Sequence, residues 1–205
     1  SLPFSVKPDE KLDVRDFMTV LSDHYEGTEW DESQHYRNGE PHHHGVNSIC
    51  APHNQYGFVT ELRQDMPAEI GTVMWLAPRR PCIQPYVPWY LGMQEMPEDF
   101  AQTDYQTALE NHFKVPKNMY EVAPDHAFVQ YAQFANRIDE QYGEAYEPIQ
   151  AFKQHIQKQM FREQSETEQK ALELYEEDQE AALEVISKFT RKYLDETREF
   201  MRNFK

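Results

Sequence analysis

The chain has 205 residues, with 36 acidic against 20 basic side chains and a formal charge of −16. Phosphate backbones and anionic lipid surfaces are held by clustered Lys and Arg, so this excess of negative charge excludes nucleic acid and membranes as electrostatic partners. No run of about eighteen apolar residues occurs, the length a membrane-crossing helix needs. An apolar share of 39% is enough for one good core or two small ones.

The predicted elements begin with an extended entry and a helix. Asp13 reads as its N-cap with Asp16 three positions on, and Val14, Phe17, Met18 and Leu21 recur at helical spacing. Across 26–52, Gly27, Gly39, Pro41 and Gly45 lie among polar residues and predict a long loop, the kind of segment where sites collect. Two strands follow. Tyr56, Phe58, Thr60 and Leu62 alternate with Gly57, Val59 and Glu61, and 71–77 carries Val73, Trp75 and Leu76 between Gly71 and Pro78. With 63–67 as the turn, they form an antiparallel hairpin. Pro78, Pro81, Pro85 and Pro88 then predict an irregular segment that wraps a surface rather than crossing a sheet, because proline has no N–H for a ladder.

Three helices complete the chain. Phe128, Tyr131, Phe134, Ala135 and Ile138 line one face after an Asp125 cap, with Gly143 as the stop. Pro148 suits the first turn of the next helix, whose inner face is Ile149, Phe152, Ile156 and Met160. Ser165-Glu166-Thr167-Glu168 reads as a capping box opening a third, striped by Leu172, Tyr175, Ala182, Ile186, Phe189, Tyr193 and Phe200. That stripe needs a partner. Its acid-first, base-last charge order matches the helix dipole and reads as a solvated face.

Several residue groups could carry chemistry. His24, Glu26 and Thr28 offer an imidazole, a carboxylate and a hydroxyl directly after a helix, fit either to hold a substrate amine and relay protons or to cap backbone groups in a turn. The run His42-His43-His44, with His35, Glu40, Cys50 and His53 nearby, raises a metal site, yet adjacent histidines diverge and no spaced ligand motif occurs, so it reads as loop. Cys50 and Cys82 are too few for a disulfide framework; they read as buried free thiols or as one bridge. Trp75, Tyr86, Trp89 and Tyr90 could line a pocket or serve as packing anchors among the prolines.

Four ordered blocks carry a resemblance: Leu2-Pro3-Phe4-Ser5-Val6-Lys7-Pro8, His24-Tyr25-Glu26-Gly27-Thr28-Glu29-Trp30-Asp31, Met66-Pro67-Ala68-Glu69-Ile70-Gly71 leading to Trp75, and Tyr86-Val87-Pro88-Trp89-Tyr90. Together they resemble the dipeptidase A family, thiol peptidases of the N-terminal-nucleophile hydrolase class related to secernins and penicillin V acylases. The resemblance implies an α+β fold, the C-terminal part of an αββα sandwich. Residues 1–123 would belong to the hydrolase domain, and residues 124–205 would be an extension of three helices packed on it. It also implies hydrolysis of dipeptides by an N-terminal cysteine that lies upstream of this sequence, with its own α-amine as base. Ser1 is set aside as a nucleophile, since Pro3 and Pro8 would break the strand such a residue begins.

No catalytic residue is therefore expected within the chain, and no metal or other cofactor. His24, Glu26 and Thr28 are the candidate substrate-binding residues, and the compartment is left open. The partners that follow are a dipeptide substrate, the N-terminal half of the same enzyme and, as a candidate, a second copy of the chain. The rival reading is a non-catalytic helical interaction module whose third helix pairs with another chain.

Overall fold

A computed structural model describes residues 5–31, 42, 48–101 and 124–204. Ser1, the Leu2 to Phe4 part of the first block, His35, Gly39, Glu40, Pro41, His43, His44 and Gly45 lie outside the described residues. Helix α1 (Val14–Leu21) starts as the sequence predicts, with Asp13 and Asp16 forming a reciprocal capping box. Strand β1 (Tyr56–Leu62), a short helix α2 (Ala68–Gly71) and strand β2 (Thr72–Pro78) make the expected antiparallel hairpin, with Val59 opposite Trp75. At its turn, a Cβ on Gly71 would come 2.7 Å from the Arg63 carbonyl oxygen, so only glycine lets the chain close here.

The proline-rich segment departs from expectation. Val87–Tyr90 is a third strand, β3, paired antiparallel to β2 and buried along its whole length. Pro88 is tolerated because it stands at the sheet edge with its backbone turned away from β2. Its carbonyl accepts the Thr190 hydroxyl at 2.7 Å, and the missing N–H is absent only from the outer side.

After α3 (Glu98–Ala101), the helices are α4 (Ala127–Asp139), α5 (Tyr142–Tyr175) and α6 (Gln179–Asn203). Their boundaries correct the sequence reading in three places. The α4 cap is His126, whose Nδ1 accepts the Phe128 N–H at 3.1 Å, rather than Asp125. Gly143 and Pro148 both lie inside α5; the flanking residues Tyr142, Ala145 and Ile149 are buried, and that packing offsets the hydrogen bond Pro148 removes. The Ser165 box opens nothing, because Glu168 points into the core and receives Arg63, so the helix runs on until Asp178 caps α6 through the Ala181 N–H. No helix among the described residues is long and apolar enough to cross a membrane.

The long hairpin of α5 and α6 lies on the sheet. Trp75 meets Phe161 with ring centroids 4.5 Å apart, and Ile156, Met160, Ile186, Phe189 and Tyr193 fill the same core. The apolar stripe predicted to need a partner finds it within the chain. A second cluster joins α4, the start of α5 and the end of α6 to Cys50, Cys82 and Ile83. The side chains of Trp75 and Tyr90 are packing anchors, and Tyr90 also donates its hydroxyl to Glu168 at 2.8 Å.

Glu168 is 5% exposed and binds Arg63 through both oxygens at 2.7 Å, while accepting from Tyr90 and Gln164. Glu168→Ala should lower the unfolding free energy by about 3 kcal/mol, because it leaves a guanidinium and a hydroxyl without their acceptor. Arg162→Ala, at an exposed pair, should change it by less than about 1 kcal/mol. Denaturant unfolding of both variants checks this, and equal losses would refute the assignment.

Candidate functional site

The chain turns sharply as soon as α1 ends. Tyr25 (φ 65°) and Gly27 (φ +76°) both sit in the left-handed region, which glycine enters freely and tyrosine at a cost of about 1 kcal/mol. Glu26 folds back on His24. Its carboxylate accepts the His24 backbone N–H at 2.7 Å and faces the ring Nδ1 at 3.0 Å. The Thr28 hydroxyl donates to the Tyr25 carbonyl at 2.7 Å and accepts the Trp30 N–H at 3.1 Å, so it shapes the turn.

Behind this loop four side chains converge from distant parts of the sequence. His24, His42, Cys50 and Cys82 are all buried, and one ligand-type atom from each lies within 4.8 Å of the others. Nε2 of His42 is 3.2 Å from Nε2 of His24, 3.5 Å from Sγ of Cys82 and 4.0 Å from Sγ of Cys50. On its other side, Nδ1 of His42 is 3.4 Å from the Asp139 carboxylate, which pairs with the buried Arg80. Gln150 on α5 donates to the Cys82 carbonyl at 2.8 Å, and Lys153 donates to the Pro81 carbonyl and to Ser22 Oγ, which fixes the turn that presents Cys82.

The electrostatics follow from this crowding. Burial opposes charge on His24, but hydrogen bonds with Cys82 and Glu26 prevail and raise its pKa to about 9. His42 is raised in the same way by Asp139 and Cys82 against burial. Burial resists ionisation of Cys82, yet Cys50, His24 and His42 together hold its thiol well below the ordinary range. Cys50 moves the opposite way, its proton retained by the hydrogen bond to Cys82 and by burial. Burial lowers Lys153 despite the neighbouring sulfurs.

His24, Glu26 and Cys82 also form one wall of a cavity of about 950 Å³ between α1 and α5. Asp23 and Glu26 are its acidic groups, while Arg15, Lys153, Lys158 and Arg162 are basic. The sequence-predicted trio is thereby divided: His24 and Glu26 line the cavity and Thr28 does not. Both cysteines are free and buried, the first of the two readings open from the sequence. Sequence reasoning placed Cys50 near the histidine run but had no signal for Cys82, Asp139 or Lys153, which only folding brings close.

Comparison with known proteins points one way. The pattern of Peptidase family C69 matches residues 1–177. A probable dipeptidase of Latilactobacillus sakei is 26% identical over 126 residues, 61% of this chain and 26% of its own length. One from Salmonella dublin is 28% identical over 94 residues, covering 46% of this chain and 21% of its own. A probable dipeptidase B of Lactococcus lactis subsp. lactis is 27% identical over 121 residues, 58% and 23% respectively. The matched part thus spans about a quarter of these curated relatives.

A Cβ on Gly27 would meet nothing within 4 Å, so its role is purely conformational. Gly27→Ala should destabilise the chain by about 1–2 kcal/mol through backbone strain alone. Chemical denaturation measures this; a loss of several kcal/mol would show a packing role instead.

Proposed function

The chain belongs to peptidase family C69, and we propose that it forms the C-terminal portion of a dipeptidase whose nucleophile, an N-terminal cysteine, lies outside these 205 residues. The observation that carries the reading beyond family membership is the outer face of the hairpin. Tyr56, Phe58 and Leu62 alternate along β1 with 58%, 50% and 73% of their surface exposed, a bare apolar sheet face of the kind the second layer of a sandwich would cover. The N-terminal part of the enzyme supplies that layer.

The cavity between α1 and α5 suits a zwitterion. A dipeptide carries an ammonium at one end and a carboxylate at the other, and the cavity offers Asp23 and Glu26 against Arg15, Lys158 and Arg162. In this reading Glu26 takes the substrate ammonium, His24 orients Glu26 through Nδ1, and Thr28 fixes the path of the loop. The upstream thiolate attacks the scissile carbonyl, its α-amine accepts the thiol proton and delivers it to the departing amine, and water then hydrolyses the acyl-thioester. The residues of this chain bind and orient the substrate.

The purified chain alone should not hydrolyse dipeptides. Co-expressed with the N-terminal part of the intact enzyme it should do so, and replacement of that part's first cysteine should abolish turnover. Glu26→Gln in the intact enzyme should raise KM about tenfold, the loss of one charge-assisted contact. Hydrolysis by the chain alone, removed by Cys50→Ala or Cys82→Ala, would overturn the proposal.

A further inference from the structure

We propose that His24, His42, Cys50 and Cys82 form a closed, tetrahedral site for one soft divalent metal ion of the zinc class. The separations of the four ligand atoms fit such a centre. A tetrahedral zinc centre with Zn–N near 2.05 Å and Zn–S near 2.3 Å has edges of about 3.3 Å between nitrogens and about 3.5 Å between nitrogen and sulfur. The corresponding separations here are 3.2 Å for the two Nε2 atoms, and 3.5 and 4.0 Å from His42 Nε2 to the two sulfurs.

The two imidazole rings are also turned so that their Nε2 atoms meet. His24 turns Nδ1 toward Glu26 at 3.0 Å, and Nδ1 of His42 faces both the Asp139 carboxylate at 3.4 Å and the Arg80 guanidinium at 3.2 Å. A neutral ring that donates from Nδ1 carries its lone pair on Nε2, and here both Nε2 atoms point into the same buried space. Two nitrogens facing each other at 3.2 Å need a proton or a metal cation between them, and the two neighbouring sulfurs favour the metal. A carboxylate behind each histidine is the outer-shell arrangement that fixes a metal-binding tautomer and raises its basicity.

The donor set decides the class of ion. Two sulfurs and two imidazoles select zinc over magnesium or calcium, which take oxygen ligands. Four protein ligands, each under a tenth exposed, leave no open position, so the ion is structural. It would fasten the loop after α1, His42 and Cys50 to the turn between β2 and β3 that carries Cys82. In this proposal His42 is a ligand where the sequence reads as loop, and a metal has a place where the sequence leads to none. The ion takes no part in hydrolysis, and Glu26 is the one residue that this site shares with the proposed substrate contacts.

The chain is purified under reducing conditions without a metal column, dialysed and assayed for bound metal, expected at about one zinc per chain. Cobalt in place of zinc should give the intense visible bands of a tetrahedral site and thiolate-to-cobalt charge transfer. Stripping the metal from the unaltered chain should lower Tm, and zinc should restore it. Asp139→Asn should weaken zinc binding at least tenfold, Cys50→Ser and His42→Gln more so, and the exposed His53→Gln not at all. Three outcomes would overturn the proposal: a metal-free chain that neither binds cobalt nor gains stability from zinc, a Cys50–Cys82 disulfide in the reduced preparation, or stoichiometric zinc that survives in the ligand variants. Should the ligand variants fail to fold, the stripped and reloaded unaltered chain decides.

Discussion

A single carboxylate inside α5 holds the architecture together. Glu168 takes both terminal nitrogens of Arg63, the Tyr90 hydroxyl and the Gln164 amide, and so joins the hairpin turn, the end of β3 and the middle of α5 at one point. A buried ion pair of this kind adds little net stability over apolar packing, but it tolerates no shift in register, because any slip strands a charge. The position of α5 over the sheet follows from that intolerance.

From that register the site follows. About one, two and three helical turns toward its N-terminus from the Trp75 and Phe161 contact, α5 presents Gln157, Lys153 and Gln150 to the turn between β2 and β3. Those side chains hold the carbonyls of Tyr86, Pro81 and Cys82. The loop after α1 is tied to the same place by the Cys50 N–H, which donates to the Asp23 carbonyl at 3.0 Å. The cluster of two histidines and two cysteines is thus assembled by helix register and by short-range turns together.

The locally encoded features were legible in the sequence. The α1 capping box and the alternation of β1 depend on neighbours within a few residues, and both stand where the sequence puts them. The features that misled are those decided by distant partners. The Ser165 box has the right local chemistry for a helix start, and Arg63, 105 residues away from Glu168 in sequence, overrides it. Pro88 argues locally against a strand, and Thr190 resolves the objection from across the core. In the site, His24 and Glu26 were found because they are two residues apart, whereas Cys82 and Asp139 offered no sequence signal.

The strand that proline should have prevented gives the sheet a direction. The carbonyls of Tyr86, Pro88 and Tyr90 face outward from β3 and are taken by Gln157, Thr190 and the Met93 N–H, and Pro88 has no donor to offer. That rim is closed to any further strand. The opposite rim, along β1, pairs with nothing among the described residues. Among the described residues, the sheet therefore offers a free rim for a further strand along β1 and none along β3.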